Sequence, residues 1–92
     1  GKTRINLDGD IVVGDADQIR EIIKSSNDAG RLVTTIRLNS AGGSLLESVR
    51  IAGILRYAKT ATAVLDGAKC ASACFIIFAA GSEKYAHYSA QL

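Results

Sequence analysis

The sequence predicts an α/β domain. Three observations carry this reading. β-branched runs recur at 32–38 and 60–65, apolar residues at helical spacing lie between them, and Gly-containing turns separate the two kinds of segment. At 92 residues the chain is one domain at most.

Thr3 to Leu7 alternates apolar Ile5 and Leu7 with polar Arg4 and Asn6, which predicts a short strand. Asp8-Gly9-Asp10 signals a turn, and Ile11-Val12-Val13 is expected to return as the second strand of a hairpin. Asp15 suits a helix N-cap, with Gln18 three residues on completing a capping box. Ile19, Ile22 and Ile23 form the apolar stripe of that helix, and Gly30 is its stop. Leu32 to Leu38 is the next strand. Asn39-Ser40-Ala41-Gly42-Gly43 makes a tight turn, and Ser44 with Glu47 caps a second helix that runs to about Lys59. Leu45, Leu46, Val49, Ala52 and Gly53 are expected on its inner face. Thr60 to Leu65 is a strand and Asp66-Gly67 a turn. The apolar run from Ala73 to Ala80 fits either helix or strand by periodicity. A buried helix is preferred, because Gly81 suits a C-cap and the small residues before it suit a sharp turn. Lys84-Tyr85-Ala86 is a last short strand, giving the order β-β-α-β-α-β-α-β.

Composition narrows the function. Eleven Lys and Arg against nine Asp and Glu leave a net charge of +2 with no basic stripe, which argues against nucleic-acid binding. No apolar run reaches the ~18 residues of a membrane-spanning helix. Nothing at the N-terminus resembles a signal peptide. Two Cys are too few for a disulfide scaffold and lack partners for a zinc site, so neither a metal nor a cofactor is expected. The chain begins at Gly1 and contains no Met, from which we expect a piece of a longer protein.

Two segments could carry chemistry. A Gly pair between strand and helix, Gly42-Gly43, presents bare backbone N–H groups at a helix N-terminus, suited to a phosphate or a transient oxyanion. It lacks the Lys of a phosphate loop, and a plain strand-to-helix turn is the alternative. Ser72, in Cys70-Ala71-Ser72-Ala73-Cys74, has only small side chains at two positions on either side. A nucleophile on a strained turn needs such neighbours, although an N-capping serine has the same signature. Cys70 and Cys74 stand four apart. In a regular helix their Cβ atoms would be ~5–6 Å apart, whereas a disulfide needs ~3.5–4.5 Å. A bridge therefore requires Cys70 to lie outside the helix, and two buried free thiols are the alternative. His87, the sole histidine, has no neighbouring carboxylate or Cys in sequence to make a metal site. Tyr85 and Tyr88 are expected to be packing residues.

Ile36 to Ser44, with its Asn-Ser-Ala-Gly-Gly turn, and Gly67 through Cys70-Ala71-Ser72-Ala73 to Phe78-Ala79-Ala80-Gly81 together resemble the ClpP/crotonase superfamily, and within it the Clp protease proteolytic subunit. The resemblance covers about Ile36 to Ala86. The Cys-x-Ser-x-Cys variant looks most like bacterial ClpP-like proteins exported to the periplasm, with the cytoplasm as the alternative compartment. The resemblance implies a stack of β-β-α units, incomplete at the C-terminus, and homo-oligomerisation. It implies that Ser72 is a nucleophile, that the N–H groups of Gly43 and Ala73 form an oxyanion hole, and that Gly42, Gly43, Ser44 and Leu45 meet an extended peptide or protein substrate. Ala41 replaces the family's Pro in the turn. The family's triad His and Asp lie beyond Leu92, and His87 falls short of the His position, so the 92 residues alone are expected to be inactive. Rival readings are a non-catalytic binding or assembly module and a crotonase-like acyl-CoA enzyme. The serine, and the lack of an Arg/Lys-rich grip for CoA, argue against the latter.

Overall fold

A computed structural model describes residues 2–92. Four parallel strands, β1 (Lys2–Asp8), β2 (Leu32–Asn39), β3 (Ala61–Val64) and β4 (Lys84–Ala86), form one sheet in the order β1-β2-β3-β4. Helices α1 (Asp15–Asp28), α2 (Leu45–Ala58) and α3 (Ala73–Ala79) make the crossovers. Strands added in sequence order through right-handed crossovers leave every helix on one face of the sheet. On that face α1 packs on α2, and α2 on α3.

β1 shows the alternation expected of a strand covered on one side: Ile5 is buried while Arg4 and Asn6 are exposed. In β2 the residues that turn inward, Val33, Ile36 and Leu38, break strict alternation. A register shift opposite Thr3/Arg4 resolves this: Thr3 pairs with Val33 but Arg4 with Thr35. One extra residue in β2 resets the pleat so that all three face the helices.

The expected hairpin does not form. Ile11 makes an isolated parallel bridge to Gly43, and Val12 and Val13 are exposed. Two further isolated parallel bridges, Ser40 to Cys70 and Lys69 to Gln91, sit at the equivalent corners of the next units. The second strand of each β-β-α unit is thus reduced to one or two paired residues between a full strand and its helix. The β-branched run Ile11-Val12-Val13 looks like a strand in sequence, but it is too brief to pair as a ladder and bridges at Ile11 alone.

The helices also differ in phase from the expectation. Gly14, at φ 105°, is the N-cap of α1, and Asp15 is its first helical residue, its carboxylate accepting from the Val12 N–H at 2.9 Å. In α1 Ile19 is buried and Ile23 packs on the core, while Ile22 is exposed. In α2 the inner face is Glu47, Ser48, Ile51, Ala52 and Leu55, whereas Leu45, Leu46 and Val49 are exposed. The small side chain of fully buried Ser48 and the tether made by Glu47 rotate the three apolar residues outward. Ala73–Ala79 is a helix, but it is not covered all round, since Phe75 is about half exposed. Gly81 takes no left-handed cap. It is required because a Cβ there would stand 2.3 Å from Thr62 Oγ1 and 2.7 Å from the Glu83 carbonyl oxygen.

This phase is testable by urea unfolding. Leu55→Ala, at a fully buried position, should cost about 2–5 kcal/mol. Leu46→Ala, at a position 63% exposed, should stay within about 0.5 kcal/mol of the parent.

Candidate active site

The parallel pairing of β2 with β3 sends the turns after both strands to the same edge of the sheet, where α/β folds place their ligands. The two turns are laced together. The Ser40 N–H donates to the Lys69 carbonyl at 2.7 Å, and the Ala71 N–H donates to the Ser40 carbonyl at 3.1 Å. Asn39 reinforces the join: its Oδ1 accepts from the Lys69 N–H at 3.1 Å, and its Nδ2 donates to Asp8 at 2.8 Å. The buried Ser40 hydroxyl shapes the glycine turn from inside, accepting from the Gly42 N–H and donating to the Gly42 carbonyl, each at 3.1 Å.

Gly42 and Gly43 have φ of 123° and 141°, which side-chain-bearing residues avoid. Each also has a steric reason to be glycine. A Cβ on Gly42 would stand 3.0 Å from Ser72 Cβ and 3.3 Å from Ser72 Oγ. A Cβ on Gly43 would stand 2.3 Å from the Ile11 carbonyl oxygen and 2.6 Å from the Ile11 nitrogen. The glycine turn is therefore pressed between the Ile11 backbone on one side and the Ser72 side chain on the other. The Ile11 N–H donates to the Gly42 carbonyl and the Ser44 N–H to the Ile11 carbonyl, fixing that sandwich.

Ser72 is the N-cap of α3 by position, but its hydroxyl makes no capping hydrogen bond. Its φ of 55° and ψ of −126° are unfavourable for an L-residue with a side chain. The side chain is exposed and meets no hydrogen-bond partner among the described residues. The N–H groups of Gly43 and Ala73 likewise donate to no acceptor among those residues. The structure puts Ser72 and the glycine pair in contact. The Ser44 N–H is occupied by Ile11, whereas the Gly43 N–H beside it has no acceptor among the described residues.

Cys70 lies outside α3, in its bridge to Ser40, and forms a disulfide with Cys74 across a Cα–Cα distance of 5.1 Å. That is the arrangement a bridge of this spacing requires. Both residues are fully buried.

Glu47 was expected only as the far half of a capping box. Its N–H does donate to Ser44 Oγ at 3.1 Å. The buried carboxylate, however, accepts from the Gly14 and Ala16 N–H groups at 3.1 and 2.7 Å, at the N-terminus of α1. Negative charge is favoured at that end of a helix. Asn39, Ser40 and Glu47 are the supporting residues that sequence reasoning passed over. The signal for the first two was their place directly before the glycine pair.

His87 makes no hydrogen bond to Ser72. Its Nδ1 is 2.9 Å from Ser89 Oγ and 3.9 Å from Asp66, and Ser89 Oγ in turn donates to Asp66. Tyr85 and Tyr88 are exposed rather than packed. The Tyr85 hydroxyl donates to Glu83, and that bond with its negative charge raises the Tyr85 pKa above the ordinary phenol value. Among the described residues no cluster of His, Cys, Asp or Glu side chains gathers as a metal site. A cleft of about 570 Å³ between α1 and α2 is lined by residues such as Arg20, Arg50, Ile54 and Tyr57, with none from the Ser72 turn.

The sequence matches no family model and no curated protein. Among solved structures, a mutant of ClpP1 from Listeria monocytogenes matches with a TM-score of 0.76 at 19% identity over 95% of this chain. The chain has a ClpP-like fold. It spans 52% of the ClpP1 chain. The ClpP likeness extends over nearly all of the strands, helices and corners described above, and at this identity it concerns the fold alone. No helix is long and apolar enough to cross a membrane among the described residues.

Removing the Glu47 carboxylate leaves two N–H groups without an acceptor. Glu47→Ala should lower stability by about 1–3 kcal/mol, read from thermal or urea unfolding. Glu47→Gln should lose less, because its amide oxygen still accepts.

Proposed function

We propose that these residues form the nucleophile- and oxyanion-binding part of a ClpP-like serine peptidase domain. The observation that carries this reading is Ser72, exposed, at positive φ, with its Oγ against Gly42 and with unpartnered N–H groups at Gly43 and Ala73. A plain capping serine would bond the first turn of its helix, and Ser72 does not. In the proposed reaction Ser72 Oγ attacks a peptide carbonyl. The Gly43 and Ala73 N–H groups receive the negative charge that develops on the carbonyl oxygen, and the amine leaves to give an acyl-enzyme. An extended substrate would run along Gly42 and Gly43 toward Ser44 and Leu45. Among the described residues no acid or base side chain bonds Ser72 Oγ, and the general base of the proposed reaction would be supplied by a longer chain. Without it a serine hydroxyl is a weak nucleophile at neutral pH.

A non-catalytic binding or assembly module is the second reading, favoured by that same lack of a base on Ser72. A fluorophosphonate probe separates the two. The 92-residue chain should label poorly. A longer chain that supplies a His base should label at Ser72, and Ser72→Ala should abolish that labelling. A His-containing chain that stays unlabelled would overturn the peptidase reading.

The buried Cys70–Cys74 disulfide supports an oxidising compartment, and hence the bacterial periplasm over the cytoplasm. Self-association is proposed through the exposed apolar face of α2, where Leu45, Leu46 and Val49 are each at least half exposed. Sedimentation at micromolar concentrations should show species larger than a monomer, and Leu46→Glu should shift them toward it. A parent that sediments strictly as a monomer counts against this surface.

A further inference from the structure

We infer that the Cys70–Cys74 disulfide is a positioning element for Ser72, holding the strained turn on which the proposed nucleophile stands. The inference rests on the reading of Ser72 given above. Ser72 is the middle residue of the five enclosed by the bridge, and its φ of 55° is one that L-residues avoid. Extended, four residue steps would reach ~13 Å. Here the ends are 5.1 Å apart, so the chain doubles back and Ser72 lies at its exposed crest.

Both ends of that short loop are anchored in the fold. The Cys70 N–H donates to the Gln91 carbonyl at 2.6 Å, and Cys70 bridges to Ser40, whose hydroxyl shapes the Gly42 turn. Cys74 is fully buried within α3. The bridge therefore links the corner that carries the glycine turn to the helix that begins after Ser72. Stabilisation through the unfolded chain grows with the length of loop closed, and this loop is among the shortest a disulfide can close. What the bond confers is consequently local. It removes the freedom of residues 71–73 to relax toward ordinary helical dihedrals, which would swing Ser72 Oγ away from Gly42 and turn the Ala73 N–H with it.

Amide hydrogen exchange on the oxidised chain, on the chain reduced by a dithiol, and on Cys70→Ala/Cys74→Ala tests this. Reduction transfers two electrons and two protons to the bridge, gives two thiols, and closes the reagent's own disulfide. The reduced chain keeps both sulfur atoms in place, so it controls for the volume lost in the double variant. Exchange at the hydrogen-bonded Ala71, Cys74 and Phe75 N–H groups should quicken by about tenfold or more in the reduced chain, with α1 and the body of α2 unchanged, and should recover on reoxidation. Unchanged exchange at these groups, or an increase spread evenly over the whole chain, overturns the inference. Phosphonate labelling of a His-containing chain reads the consequence separately: its rate at Ser72 should fall on reduction. If exchange responds as expected but the oxidised protein never labels, the peptidase reading fails and the positioning of the turn stands.

Discussion

The structure depends on how closely the Ile11 backbone approaches Gly43. With a Cβ at residue 43 only 2.3 Å from the Ile11 carbonyl oxygen, no other residue fits there without moving the first unit away from the second. Two hydrogen bonds, from the Ile11 N–H to Gly42 and from the Ser44 N–H to Ile11, hold the approach. The same two bonds fix the turn that follows β2 and the start of α2. The geometry of the glycine turn beside Ser72 is therefore tied to the way consecutive units stack.

Glu47 extends this coupling. Burying a carboxylate is costly unless its oxygens are met by donors, and here two N–H groups at the start of α1 meet one of them. The Arg50 guanidinium, 3.7 Å away, faces the other. The carboxylate of α2 is thus the cap of α1, joining two helices across 31 and 33 residues of chain. It also sets the rotation of α2. Once Glu47 and Ser48 face inward, Leu45, Leu46 and Val49 have to face out. A helix that looks amphipathic in one phase is packed in another, in which Ile51, Ala52 and Leu55 are buried beside Glu47 and Ser48.

The main strands and helices were legible in sequence because their signals are local: β-branched runs, a Ser44 cap, glycine stops at Gly30 and the Asp66-Gly67 turn. So were the glycine pair and Ser72, each as a small-residue turn ahead of a helix. Three features were not legible. The Ile11 bridge is a single residue pair, indistinguishable in sequence from a strand. The phase of α2 was decided by a partner 31 residues away. The bulge in β2 compensates for Val33 and Ile36 standing an odd number apart, and nothing in the run itself says which side will give way. The state of the two Cys was open for a similar reason, since it turned on where α3 begins.

The two halves of the proposed chemistry also differ in what they require of the chain. Donors for an oxyanion are backbone N–H groups, which exist at every residue except proline. They need only be left unpaired and aimed, and at Gly43 and Ala73 the N–H groups have no acceptor among the described residues. A strained serine needs only small neighbours and anchored flanks, which Ala71, Ala73 and the two buried Cys supply. A general base is different. It is one side chain of the right kind at hydrogen-bonding distance, and no local pattern around Ser72 can stand in for it. His87 illustrates the point. It is an imidazole just past the end of β4, yet its Nδ1 is turned to Ser89 and Asp66. Unpaired backbone N–H groups can therefore stand beside a serine whose hydroxyl has no partner among the described residues.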